Sequence, residues 1–229
     1  MGFSVSASPI QIACKAILFD MDGILISSIG SVERSWTKWA TMRGIDAAYA
    51  IKMAHGCRSI ETVAKLRPDL DAEEENQLIE QMEIDDTEGI EALPGALALL
   101  ASLPPDRWAV VTSATAPLAR VRLAAGGIPI PKRIVAAEDV AEGKPNPAPY
   151  LAGARLLGFA PSECVVFEDA ESGSKAGRAA GCTVIATTFS HTIEQLSAAH
   201  YLIPDLTHIT AEKVQGGEAI SLKFTPLAV

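Results

Sequence analysis

The chain is short of several things, and each shortage excludes something. Only four cysteines occur in 229 residues, Cys14, Cys57, Cys164 and Cys182, scattered and mostly in or beside apolar runs. That spacing gives neither a disulfide frame nor a zinc site, and it fits reduced core thiols in a cytoplasmic protein. Positive charge is scarce: 19 Lys and Arg against 28 Asp and Glu leave a net charge of −9. Such a balance argues against a nucleic-acid partner and offers no polybasic patch to a membrane surface. No apolar run approaches the length of a membrane span, and the first ten residues lack the charged and apolar regions of a secretion signal. Gly2 and Ser6 fit the loose pattern for N-myristoylation, but the pattern is short, and the start reads as a frayed tail. Internal repeats and low-complexity tracts are also absent. What is abundant is apolar residue, 48% of the chain, enough for one large domain or a domain carrying an insertion.

The chain is organised around Lys15–Ala16–Ile17–Leu18–Phe19–Asp20–Met21–Asp22–Gly23. Ile17 to Phe19 is the pattern of a strand buried on both faces. Two aspartates stand at its carboxyl end, where open α/β sheets place their ligands, and Gly23 then allows a backbone shape that other residues resist. Cys164 to Phe167 repeats the design and ends in Glu168–Asp169. Trp108 to Val111 is a third such run, ending in Thr112–Ser113. If the three strands are parallel, their ends converge. Two carboxylates 4 Å apart repel by about 4 kcal/mol at an effective dielectric of 20, so the cluster calls for a cation or protons. Oxygen donors with room for water favour Mg²⁺.

Along the chain, a helix follows from Ser31, with Trp36, Trp39 and Ala40 on one face, and Gly44 ends it. Asp46 to about Glu88 is helical and charged, and Asp71 reads as an N-cap with acid in the first turn behind it. This stretch interrupts a strand-then-helix alternation that resumes at Leu93–Pro94–Gly95. Further helices are expected at 96–103, 117–125, 149–157 and 172–180. Strands are expected at 134–137 and 183–187, with a short edge strand at 201–203; nothing is assigned from Gln215 onward. The sum is an α/β fold: a doubly wound, Rossmann-like parallel-sheet core (12–30 and 89–215) with an inserted α-helical cap (31–88) and tails at 1–11 and 216–229.

Each candidate has a plain structural reading beside its chemical one. An Asx turn explains one aspartate after a strand, but not Asp20 and Asp22 matched by a second acidic strand end. A carboxylate can attack phosphorus to form an acyl phosphate, and a second can protonate the leaving alkoxide and then deprotonate water. Thr112 and Ser113, with Ala114 behind them, can cap a helix and offer donors to a phosphate at once. Lys144, fixed among three prolines in Glu142–Gly143–Lys144–Pro145–Asn146–Pro147–Ala148–Pro149, suits a point charge for phosphate. His55–Gly56–Cys57–Arg58 forms a patch whose glycine could aim Arg58, with His55, at a substrate under the lid. Trp36 and Trp39 read as packing.

Four motifs together, Asp20–Met21–Asp22–Gly23–Ile24–Leu25, Val110–Val111–Thr112–Ser113, Gly143–Lys144–Pro145–Asn146–Pro147 and Val166–Phe167–Glu168–Asp169–Ala170, resemble those of the haloacid dehalogenase-like hydrolases in order and spacing. Within that family, His55–Gly56–Cys57–Arg58, Glu91–Ala92–Leu93–Pro94–Gly95 and Lys144 to Leu151 are similar to the sugar- and polyol-phosphate phosphatases. The resemblance implies Asp20 as nucleophile, Asp22 as general acid/base, and Lys144 with Ser113 or Thr112 as phosphate clamp. It also implies Mg²⁺ held by Asp20, the Asp22 carbonyl and Asp169, with Glu168 a ligand or an acceptor beside it. Ile24 departs from the threonine usual at its position. The implied reaction is hydrolysis of a small phosphorylated sugar or polyol. A monomer or weak homodimer is expected, with the choice between them open. A β-phosphoglucomutase-like enzyme and a non-catalytic phosphometabolite-binding protein are the alternatives.

Overall fold

The computed structural model describes residues 8–54, 57–213 and 219–228. In chain order, β1 (Ile10–Cys14), β2 (Ala16–Phe19) and β3 (Ile26–Ser27) precede four helices: α1 (Ile29–Arg43), α2 (Ala47–Ala54), α3 (Ser59–Leu66) and α4 (Ala72–Asp85). Then come β4 (Glu91–Ala92), α5 (Ala96–Ser102), β5 (Trp108–Val111), α6 (Ala116–Ala125), β6 (Ile134–Val135), α7 (Ala148–Leu157), β7 (Cys164–Glu168) and α8 (Glu171–Ala179). The chain finishes with β8 (Thr183–Thr187), β9 (Tyr201–Ile203), β10 (Ile209–Lys213) and β11 (Ile220–Phe224).

Six strands form one sheet in the order β6-β5-β2-β7-β8-β9, and every pairing in it is parallel. The apolar runs explain the burial. In β2, Ile17 and Phe19 face one layer with Val110, Val165, Phe167 and Ile185. Ala16 and Leu18 face the other, with Val111, Val166, Tyr150 and Ala176. Alternate side chains of one strand thus enter two cores, so a central strand carries no polar residue until its end. The doubly wound α/β reading holds.

The helical stretch has a core of its own. Trp36, Trp39 and Ala40 of α1 meet Ala50, Ala54, Val63 and Ile79 from α2, α3 and α4, and the two indoles pack edge to face. Asp71 caps α4, accepting from the amides of Glu73 and Glu74. Gly44 ends α1 with φ of +66°. Among the described residues, no helix is long and apolar enough to cross a membrane.

Two features differ from the expected pattern. The apolar loop after Asp22 contains β3, which pairs antiparallel with β4 and ties the stretch before α1 to the stretch after α4. The segments read as tails also contain strands: β1 pairs with β11, which pairs with β10, in a second, antiparallel sheet. Ile220, Leu222 and Phe224 enter the main core. The N-myristoylation pattern lies outside the described residues.

Candidate active site

β2, β5 and β7 are neighbours in the sheet, so their carboxyl ends lie side by side. Asp20, Glu168 and Asp169 are buried there, each with a carboxylate oxygen within 4.8 Å of the others'. Gly23, with φ of +82°, lets the chain turn over this cluster, where an added Cβ would fall 1.8 Å from Asp169 Oδ2. That approach and the positive φ both demand glycine.

Lys144, from the proline-rich loop, is 3% exposed. Its Nζ donates to Asp20 Oδ1 (2.8 Å), Glu168 Oε1 (2.7 Å) and the Val111 carbonyl (3.1 Å). Glu168 is committed at both ends: Oε1 also accepts from the Tyr150 hydroxyl (2.5 Å), and Oε2 accepts from the amides of Asp169 and Ala170 (3.0 and 3.2 Å). It holds Lys144 and the β7–α8 turn in place. Asp169 accepts from Ser190.

Three carboxylates around one ammonium leave the cluster with excess negative charge. Burial, then the Glu168 charge, push the Asp20 carboxyl up to about 7, although Lys144 pulls the other way. Burial and the neighbouring carboxylates raise Asp169 well above the carboxylate range. Burial opposes the charge on Lys144, but Asp20 and Glu168 outweigh it and hold its pKa above the ordinary lysine value. All the donors are oxygens, and they carry surplus negative charge out of water. The residues present therefore fit a hard divalent cation.

Asp22 stands beside this group rather than in it. It accepts from Ser28 Oγ (2.5 Å) and from Arg122 Nη1 (3.1 and 3.2 Å). A cavity of about 110 Å³ opens above, lined by Asp20, Asp22, Thr112, Ser113, Ala114 and Asp169 on the sheet side. Thr112 Oγ1 accepts from the Ala114 amide (3.0 Å) and tightens this turn. It is not the cap of α6: Thr115 occupies that position, and Glu138 accepts from the first helical amide, Ala116 N.

Not every expected residue arrives. Arg58 is turned away from this cavity: it pairs with Glu61, and its guanidinium donates to the carbonyls of Ala137, Val140 and Ala141. It fastens α3 to the loop before Lys144. His55 lies outside the described residues. Trp39 donates to Glu75 within the helical layer, whereas Trp36 packs there and also borders the cavity.

Arg122, Glu83, Ser28, Tyr150 and Ser190 were not expected. Two of them had a signal. Arg122 shares the buried face of α6 with Leu118, Ala119 and Leu123, and Glu83 continues the Glu75–Ile79 stripe of α4. A charge on the buried face of a helix marks a buried partner or a site.

A parallel sheet whose central strand ends gather buried carboxylates and one lysine, beneath a helical layer, defines the class: an α/β protein with a buried acidic cluster at the carboxyl edge of its sheet. The chain belongs to the haloacid dehalogenase-like hydrolases, whose family model matches residues 14–181. Hexitol phosphatase A of Escherichia coli is 42% identical over 215 residues, 90% of this chain and 98% of that one. Glycerol-1-phosphate phosphohydrolase 2 of Saccharomyces cerevisiae is 38% identical, over 81% of this chain and 80% of that one. Among solved structures, CbbY from Rhodobacter sphaeroides in complex with phosphate superposes with a TM-score of 0.74 at 25% identity, covering 84% of this chain and 95% of that one.

Proposed function

We propose that the protein is a Mg²⁺-dependent phosphatase that hydrolyses a small phosphorylated sugar or polyol through a phospho-aspartate at Asp20. The observation that carries this reading is the pairing of Asp20 and Asp22 beside one cavity, the first held by Lys144 and the second by Ser28 and Arg122. The named activities of the relatives support it.

Lys144 engages Oδ1 of Asp20, and attack is assigned to Oδ2. As the new oxygen–phosphorus bond forms, the ester bond to the substrate breaks, and Asp22 gives its proton to the leaving alkoxide. Asp22 then takes a proton from water, the water oxygen bonds to phosphorus, and Asp20 is released with inorganic phosphate. Lys144 keeps a positive charge against the phosphoryl oxygens. Ser113 and the Ala114 amide are the donors assigned to them from the β5–α6 turn. Asp20, Asp169 and the Asp22 carbonyl would hold Mg²⁺, with Glu168 supporting from behind. When bound, the ion neutralises charge on the phosphoryl group. The helical stretch 31–88 acts as the cap that excludes bulk water.

The test is release of inorganic phosphate from a panel of sugar and polyol monophosphates, with and without EDTA. Metal-dependent release supports the reading. An isomeric sugar phosphate without free phosphate would make the enzyme a mutase, and Mg²⁺ binding without turnover of any member would make it a binding protein.

A further inference from the structure

Beside the two aspartates the cavity is lined by a further buried charged pair. Glu83 of α4 and Arg122 of α6 are 3% and 4% exposed, and both line the cavity with Val32, Trp36 and Leu118. Arg122 spends Nη1 on Asp22. Its Nη2 lies 3.3 Å from Glu83 Oε1, a charge contact without hydrogen-bond geometry, so Nε and Nη2 are buried with no hydrogen-bond partner. Buried guanidinium donors are rarely left unbonded, and Arg122 borders the cavity.

The charges decide which ligand. Glu83 and Arg122 balance while Asp22 carries the proton it gives to the alkoxide, and the three sum to −1 once it is ionised, next to a cluster already rich in carboxylate. A second phosphate or a carboxylate on the substrate would meet repulsion there. Neutral hydroxyls would not: they can accept from Arg122 and donate to Glu83, while Val32, Trp36 and Leu118 offer apolar contact to the carbon chain. We infer that Glu83 and Arg122 bind the hydroxyl groups of the substrate's carbon chain, selecting neutral polyhydroxylated monophosphates and excluding those with a second anionic group. The inference rests on the phosphatase reading and adds to it the residues that select. Because α4 lies in the helical stretch and α6 beside the sheet, the pair is complete only where the two layers meet.

The experiment measures kcat/KM for the full-length protein with Mg²⁺ on a hexitol phosphate, on the matching bisphosphate, and on acetyl phosphate, which has no hydroxyls on its carbon chain. The wild type should prefer the hexitol phosphate to both others. Glu83→Gln should lower the ratio of hexitol phosphate to acetyl phosphate by about 10- to 100-fold, mainly through KM, and should raise the ratio of bisphosphate to monophosphate. Should Glu83→Gln fail to fold, Glu83→Asp keeps the charge but withdraws the carboxylate, so the first ratio should fall and the second stay low. A wild type active on these esters, with ratios unmoved in a folded variant, overturns the inference alone. A wild type inactive on all three overturns the phosphatase reading and this inference with it.

Discussion

Gly173→Ala sets two physical effects against each other. Gly173 lies in the first turn of α8, where helix propensity alone favours alanine by about 1 kcal/mol. An added Cβ, however, would stand 1.7 Å from Glu168 Oε1 and 2.0 Å from its carboxyl carbon. To reach ordinary contact the Glu168 carboxylate must retreat by more than about 1 Å. Its bonds to Lys144 Nζ (2.7 Å) and Tyr150 OH (2.5 Å) would then stretch or break. Hydrogen bonds to charged groups contribute about 1.5–3 kcal/mol each, so the losses exceed the propensity gain and leave a net destabilisation of about 2–5 kcal/mol. For a chain of this size that is a fall in Tm of about 4–20 °C. Lys144 also shifts, and a displacement of that order costs about 100-fold in turnover. Circular-dichroism melting and a phosphate-release assay read both. A variant that melts at or above the wild type with unchanged turnover would refute the assignment of Glu168 as the support for Lys144.

Three other perturbations follow from the same geometry. Lys144→Met leaves Asp20 and Glu168 buried without their ammonium; stability should fall by about 3–5 kcal/mol in urea unfolding, with activity lost. Because the Asp20 carboxyl is raised to about 7, the folded metal-free protein binds more protons than the unfolded chain between about pH 4 and pH 7, so its stability should decline as pH rises through that range. Mg²⁺ competes with those protons, and the Tm gain it gives should be larger at pH 8 than at pH 5; a pH-independent gain would count against metal binding at Asp20. Asp71→Ala removes the α4 cap and should cost about 1 kcal/mol, or about 2–4 °C in Tm.

The sequence exposed the site where strand and chemistry coincide. Asp20, Thr112 and Glu168 each follow an unbroken apolar run, and a central strand of a parallel sheet has no other way to be written. Asp71 and Gly44 were legible for a local reason, since a helix end is set by its own few residues. The sheet of β1, β10 and β11 was not, because Ile10 pairs with Phe224 and neither short segment signals a partner more than two hundred residues away. Arg58 pairs with Glu61 three residues on, a partner the sequence does display, but its other acceptors are backbone carbonyls, which no sequence pattern displays. Arg122 was visible as a charge on an apolar stripe and Glu83 as one in line with Glu75 and Ile79, but a stripe does not say what it faces.

The central claim is that Asp20 carries the phosphoryl group, and the most direct measurement is the kcat of Asp20→Asn on the best monophosphate of the panel. The replacement keeps the size of the side chain and removes the nucleophilic oxygen, so phosphate release should drop by at least about 1,000-fold while the fold persists by circular dichroism. Turnover within a few-fold of the wild type would contradict the account.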